Sequence, residues 1–273
     1  MIGCYILDVG CGNMAAINFS NEKKMIIDCN ITEENSSSII SFLRKKAFSN
    51  IDIFINSHRD TDHLKGIKLL NDNIPISEIW DNGVSGTTDA TDYKEYMELR
   101  RLKKHTIIKA QTKDDPFCTN TTLRYMNSDY NDVNYDINDT SIVVKIEYFG
   151  SSILFAGDTS FKPWKEKIIP FYSDVKLKSN ILIASHHGSK SFFDDPINNK
   201  YYYSTHIKKI CPDITILSVG KNQYDLPDKD AIDIYTRNSK GSSKGNKIFR
   251  TDESGNIYIE LEDNGNWALT RNV

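Results

Sequence analysis

No stretch of this sequence approaches the roughly 20 consecutive apolar residues that a membrane-spanning helix needs; its longest apolar runs are of strand length. No membrane association is therefore expected. Charge of one sign is not in excess either: 34 Lys and Arg against 37 Asp and Glu leave a formal net charge of −3. No global field draws such a chain to nucleic acid or to an anionic bilayer, so any basic footprint has to be local. Cysteine is sparse: Cys4, Cys11, Cys29, Cys118 and Cys211 form no CxxC pair, and the odd count speaks against a disulfide framework. Free thiols in a reducing, cytoplasmic setting are the expectation. Met1-Ile2-Gly3-Cys4 runs at once into a strand pattern, so no signal peptide is expected. Neither a repeat of fixed period nor a low-complexity linker breaks the sequence. With 273 residues, 39% of them hydrophobic, the chain has material for a packed core and reads as one domain over residues 1–273.

What is present concentrates at Ser57-His58-Arg59-Asp60-Thr61-Asp62-His63-Leu64-Lys65-Gly66. The stretch follows an apolar, β-branched run (Ile51, Ile53, Phe54, Ile55) that reads as a buried strand. It leads into Leu64, Ile67 and Leu70, at helical spacing. Four ligand-type side chains thus fall within six residues on a strand-to-helix turn. Two carboxylates and two imidazoles together suit zinc, manganese or iron. Around this turn the sequence predicts strands at 2–9, 14–20, 23–28, 76–80, 121–127, 141–147, 152–157, 181–184, 214–220, 247–250 and 256–261. Helices are predicted from Asn35 or Ser36 with Ile39, Ile40, Leu43 and Ala47 as the apolar face, over 91–104, near 162–170 and near 229–237. A polar loop rich in Asp, Asn and Tyr is expected over 127–138. Strands outnumber helices and helices punctuate both halves. Two sheets packed face to face with helices outside, a four-layer αββα sandwich of the α/β class, are therefore predicted.

Ligand-type residues recur at two more strand tips: Gly157-Asp158 and Ser185-His186-His187-Gly188-Ser189-Lys190. Four of the six histidines lie in these clusters, leaving His105 and His206 outside. A single buried His or Asp is commonly a satisfied structural group, but three clusters at three strand ends point to a metal site. Two surfaces have the composition of a nucleic-acid contact. Residues 237–250 carry Arg237, Lys240, Lys244, Lys247 and Arg250 with no acid among them. Residues 192–203 hold Phe192, Phe193, Tyr201, Tyr202 and Tyr203, with Lys200, Lys208 and Lys209 near, a composition suited to stacking unpaired bases.

This ordered set of motifs resembles the metallo-β-lactamase fold superfamily, whose mark is HxHxDH after a strand, then a Gly-Asp, then a further His. Within it the chain is most similar to the hydrolase domain of ComEC-type DNA-uptake proteins. Leu7-Asp8-Val9-Gly10-Cys11-Gly12-Asn13 resembles LDVGQGD, and Ser57 to Gly66 resembles SHxDxDHxGG. Asn138-Asp139-Thr140-Ser141-Ile142-Val143 resembles NxxSLV, Ala156-Gly157-Asp158 resembles TGD, and Ser185 to Lys190 resembles HHGSK. Ser218-Val219-Gly220-Lys221-Asn222 and Phe249-Arg250-Thr251-Asp252 resemble SVGxxN and YRTD. The matches run in order from about residue 5 to 261.

The resemblance implies a dinuclear centre of zinc or manganese with a bridging hydroxide. His58 and Asp60 would bind one ion, Asp62 and His63 the other, Asp158 would bridge, and His186 would complete the second ion's set. Asn138 or Asp139 stands where the wider superfamily has its third-motif histidine. Asp28, at another strand tip, would orient the histidine loop from behind the ligands. Asp62, His187 and Lys190 are the implied catalytic residues, the last two for charge on the scissile group. Leu226 replaces the histidine of the family's YGHP element, with Asp225 beside it. The implied activity is hydrolysis of a phosphodiester by a metal-dependent DNA or RNA nuclease, with nucleic acid as substrate and a protein as possible partner. The alternatives are hydrolysis of another ester, thioester or small phosphodiester such as a nucleotide signal or phosphorylcholine ester, and a non-catalytic metal-binding interaction module.

Overall fold

In Ile2–Ile6 the apolar side chains fall on both faces: Ile2, Cys4 and Ile6 enter one core, Tyr5 another. A strand buried on both faces belongs inside a layered structure, and that is what the computed structural model contains. It describes residues 1–110, 114–127, 136–194 and 202–273; most of the predicted polar loop after Asn127, Lys200 and Tyr201 fall outside them. One eight-stranded sheet runs in the order Trp267–Arg271, Ile257–Leu261, Ile2–Ile6, Ala15–Asn18, Lys24–Ile27, Ile51–Ile55, Ile76–Asp81, Lys104–Ile107. A seven-stranded sheet runs Ile248–Arg250, Ile214–Leu217, Ile181–Ile183, Ser151–Phe155, Val143–Tyr148, Thr121–Asn127, Asp115–Cys118.

Three cores define the layers. The central one joins the two sheets, with Ile2, Ile17, Ile27 and Ile55 of the first against Leu123, Ile146, Ile153 and Ile216 of the second. Outside the first sheet, Leu43, Leu70 and Tyr96 of the helices Ser36–Lys45, Ile67–Asn73 and Thr91–Leu102 pack on Ile26, Phe54 and Ile79. Outside the second, Trp164, Ile207 and Tyr235 pack on Leu154, Leu182 and Leu217. The architecture is the predicted four-layer αββα sandwich.

Register brings the site together. Lys24–Ile27 and Ile51–Ile55 pair in parallel with Ile27 beside Ile55, so the chain leaves both strands at one edge, at Asp28 and Asn56. In the other sheet Phe155 pairs with Ile183 and Ile183 with Ile216, again in parallel, which aligns the exits toward Asp158, Ser185 and Ser218. The carboxyl ends of parallel strands form a crevice at such an edge. The backbone N–H of Ile142 donates to the Ser57 carbonyl (2.8 Å) and links the two sheets there.

Several element boundaries differ from the sequence reading. The helix predicted over 91–104 stops at Leu102, because Lys104–Ile107 pairs in parallel with Ile76–Asp81. Leu64 is not helical: Leu64–Lys65 pairs with Cys29–Asn30, and the helix begins at Ile67. Ala47 lies beyond its predicted helix, in left-handed backbone with φ 63°. Strands Asp115–Cys118 and Trp267–Arg271 were not predicted. All five cysteines are free, and among the described residues no helix is long and apolar enough to cross a membrane.

His206 lies wholly buried in the helix Thr205–Ile210, among the rings of Phe192, Phe193, Tyr203 and Trp164. Burial pushes its pKa down to about 3. The neutral ring is therefore bound by the fold, and an unfolded histidine takes up a proton near pH 6.5. Its contribution to stability is full above pH 6.5 and is lost as pH falls from there toward 3. Urea denaturation across this range should show wild type losing stability faster than His206→Leu, by up to about 1.4 kcal/mol per pH unit. Parallel pH profiles would contradict the assignment.

Candidate metal centre

Asp158 follows Gly157, whose φ of 57° turns the chain sharply at the end of Ser151–Phe155; a Cβ at Gly157 would sit 2.6 Å from the Ser141 Cβ. The turn buries the Asp158 carboxylate, and its Oδ2 lies within reach of four imidazoles. The Nε2 atoms of His63, His187, His186 and His58 stand at 3.2, 3.6, 3.9 and 4.0 Å. Asp62 Oδ2 is 3.1 Å from His187 Nε2 and 4.0 Å from His63 Nε2, and Asp60 Oδ2 is 3.7 Å from His58 Nε2. The stretch 58–63, Asp158 and the His186-His187 pair therefore converge on one point.

The imidazoles are aimed from behind. His63 Nδ1 donates to Asp28 Oδ2 (2.8 Å), which also accepts from Ser57 Oγ (2.8 Å), while Asp28 Oδ1 accepts from the Ser57 N–H (2.7 Å). His58 Nδ1 lies 3.1 Å from Ser57 Oγ, whose own proton goes to Asp28. His187 Nδ1 donates to the Ser218 carbonyl (2.9 Å). A neutral ring whose Nδ1 is the donor keeps a lone pair on Nε2, the form that binds a metal. Both His186 and His187 are in left-handed backbone, φ 48° and 52°. That conformation costs about 1–2 kcal/mol per residue, a strain maintained only where the surrounding structure enforces it.

Charge is arranged to suit a cation. Burial pushes the Asp158 carboxyl up, but His63, His187 and His58 outweigh burial and hold it well below the carboxylate range. Asp62, raised by burial, is brought down to about 2 by the His187 and His63 imidazoles beside it. His63 is lowered by burial, yet Asp158 and Asp28 together raise it well above an ordinary histidine. Even so, Nε2 of His58, His63 and His187 and Oδ1 of Asp158 are buried without a hydrogen-bond partner. Buried polar atoms are rarely left so. His58, His63 and Asp158, and Asp62, His63 and His187, each offer three ligand atoms within 4.8 Å of one another. The donor set fits one or more divalent ions.

The remaining predicted residues stand further out. The His186 side chain is 30% exposed against 2% for His187, and its Nδ1 faces Ser191 Oγ at 3.3 Å. Lys190 is exposed; its charge partly offsets the rise that burial gives Asp194. In the turn Asn138–Thr140, Asp139 Oδ1 accepts from the Ser160 N–H (2.7 Å), whereas Asn138 Oδ1 is buried without a partner. That turn is fixed by Asn127 Nδ2, donating to the carbonyls of Asp139 and Ser141, and by Asn82 Nδ2, donating to that of Thr140. Asp225 is exposed. Sequence reasoning assigned no role to Ser57, Asn82, Asn127 or Ser218; only Ser57, directly before His58 at a strand end, carried a readable signal.

Among the described residues, part of each predicted nucleic-acid surface is engaged within the fold, while Tyr202, Lys208 and Lys244 are exposed. Phe192 and Phe193 are fully buried against Trp164 and Tyr235. In the basic loop, Lys240 pairs with Asp213 (3.1 Å), Arg250 with Asp252 (2.6 Å) and Arg237 with Asp233 (3.9 Å), while Lys247 Nζ donates to the Thr236 carbonyl. The acids come from outside the loop, where the composition of 237–250 does not show them.

No family model matches the chain. ComE operon protein 3 of Bacillus subtilis (strain 168) is 21% identical over 277 residues, covering 94% of this chain and 33% of that protein; the chain thus spans a third of its relative's length. The metallo-β-lactamase fold protein YhfI of Bacillus subtilis superposes with a TM-score of 0.52 at 10% identity, over 93% of this chain and 98% of that one. A diphosphatase of the PhnP family superposes with a TM-score of 0.51 at 13% identity, over 95% and 98%. The chain has the metallo-β-lactamase fold and resembles a ComE operon protein.

Proposed function

We propose that this chain of metallo-β-lactamase fold is a metal-dependent phosphodiesterase whose substrate is nucleic acid. The observation that carries the reading is the convergence of four imidazole Nε2 atoms within 4.0 Å of Asp158 Oδ2, with unpartnered ring nitrogens among them. Two zinc or manganese ions are the proposed occupants. His58 and Asp60 would hold one, Asp62, His63 and His187 would hold the other, and Asp158, within reach of both histidine loops, would serve as a further ligand. His187 rather than His186 takes the ligand position in this reading. It is supported by the Ser218 carbonyl behind its Nδ1 and by its depth. His186, at the solvent edge, is left to meet charge on the scissile group. Bound ions supply two things: a lowered pKa for water, and neutralisation of charge developing on phosphoryl oxygens. The chain's own part is to fix the ligands, through Asp28, Ser57 and Ser218, and to keep the carboxylates ionised at neutral pH.

Phosphoester chemistry is supported by the diphosphatase neighbour and by the ordered motifs shared with ComEC-type hydrolase domains. The partly neutralised basic loop favours a second reading, a hydrolase of small phosphodiesters. One assay separates them: metal-loaded protein on linear single-stranded DNA, RNA and bis-p-nitrophenyl phosphate, with Asp62→Ala as control. Nucleic-acid cleavage abolished by the substitution supports the first reading, and cleavage of the small diester alone the second. A purified protein with no metal and no activity on any of the three would refute both, leaving an interaction module.

A further inference from the structure

Beside Asp62 the surface opens into a cleft of about 680 Å³, within the size range of small-ligand sites. Its lining includes the carboxylates Asp8, Glu34 and Asp62, the ammonium groups of Lys65 and Lys221, and Tyr224. The wall formed by residues 221–224 is firmly seated. Ser218 Oγ donates to the Gly12 carbonyl (2.8 Å), and Gly220 lies so close to Gly10 that a Cβ on it would stand 2.5 Å from the Gly10 Cα. Asn222 then ties the loop to itself. Its Nδ2 donates to the carbonyls of Gly220 and Leu226, both at 2.8 Å, and its Oδ1 accepts from the N–H groups of Tyr224 (2.9 Å) and Leu226 (3.0 Å). The amide's donors and acceptor are spent inside the loop, so the loop is rigid while Lys221, Gln223 and Tyr224 remain outward. Tyr224 is 69% exposed. Lys65 and Lys221 form no ion pair among the described residues.

An exposed aromatic ring and two ammonium groups without an ion pair line this one cleft, alongside Asp8, Glu34 and Asp62, and offer a stack for a base and charge for its phosphates. We propose that this cleft seats an unpaired nucleotide next to the scissile phosphodiester, its base stacked on Tyr224 and its phosphates met by Lys221 and Lys65. The inference rests on the phosphodiesterase reading and narrows its substrate to single-stranded nucleic acid. In a duplex the base faces are already stacked on one another and cannot reach Tyr224, so duplex is the poorer ligand.

The test uses metal-loaded protein and a fluorescent, cleavage-resistant phosphorothioate oligothymidylate, with binding followed by anisotropy. Tyr224→Ala should weaken binding by roughly 5- to 150-fold, the effect of losing one base–aromatic stack, and Tyr224→Phe should restore it. Lys221→Ala should lower the salt dependence of binding by about one unit of slope. Removing single bases from the probe should reproduce the loss at one position in wild type, with no added loss at that position in Tyr224→Ala. Equal binding by wild type and Tyr224→Ala, or the same abasic penalty in both, overturns the proposal. If wild type also cleaves unmodified oligonucleotide, only the cleft assignment falls. A wild type that splits bis-p-nitrophenyl phosphate yet neither binds nor cleaves oligonucleotide overturns the cleft and the nucleic-acid substrate together.

Discussion

Asp158→Ala should yield a folded protein that purifies without divalent metal and hydrolyses phosphodiesters at least about 10²- to 10³-fold more slowly, the scale on which removal of a charge-stabilising group acts. The reason is the position of one oxygen. Asp158 Oδ2 is within 4.0 Å of four imidazole nitrogens drawn from two separate loops, and no other carboxylate is so placed among the described residues. Without it only Asp62 stands between the two loops, against His63 and His187, and a cation loses the one carboxylate within reach of all four imidazoles. The change also has a stability signature. A ligand that binds only the folded state stabilises it by about 2.7 kcal/mol at a hundred times its dissociation constant. Adding manganese or zinc at that excess should therefore raise the unfolding free energy of wild type and leave Asp158→Ala nearly unmoved. Metal retained by Asp158→Ala at wild-type stoichiometry would defeat the ligand assignment whatever the activity.

Much of this centre is legible in the residues because strand tips mark themselves. An apolar run rich in β-branched residues followed within three residues by Asp or His is visible at Asp28, at His58, at Asp158 and at His186-His187, and the structure brings all four tips to one edge. What is not legible depends on pairing between distant segments. Whether His186 or His187 lies deeper is set by two consecutive left-handed residues, which spacing alone cannot reveal. The basic loop reads as a free cationic stripe until Asp213, 27 residues from Lys240 in sequence, is brought beside it by the second sheet. Phe192 and Phe193 carry the composition of a stacking platform, yet they face Trp164, His206 and Tyr235 inside the outer core. Local pattern finds the ligands, whereas the partners that aim or neutralise them come from sheet register.

Asp28 offers the sharper test of that aiming role, because it acts on the site through other residues. Its carboxylate accepts from the Ser57 N–H, Ser57 Oγ and His63 Nδ1, all at 2.7–2.8 Å and all buried. In Asp28→Ala these three donors lose their partner at about 1–3 kcal/mol for a buried group left unsatisfied, and alanine must also adopt a φ of 58°. The effects overlap, so the expected loss of stability is roughly 3–5 kcal/mol, as when a buried pair loses one member. Asp28→Asn separates stability from aiming. Asparagine tolerates the left-handed backbone and keeps one accepting oxygen, so most of the stability should return. Its NH2 group, however, faces another donor, Ser57 or His63, and the imidazole is no longer held by a carboxylate. Metal affinity should then remain about 10- to 100-fold below wild type, the usual cost of losing the group behind a ligating histidine. Competition with a chelator of known affinity, run beside urea denaturation on both variants, measures the two effects independently. If Asp28→Asn regains wild-type metal affinity together with its stability, the carboxylate supports the fold of the loop and does not orient His63.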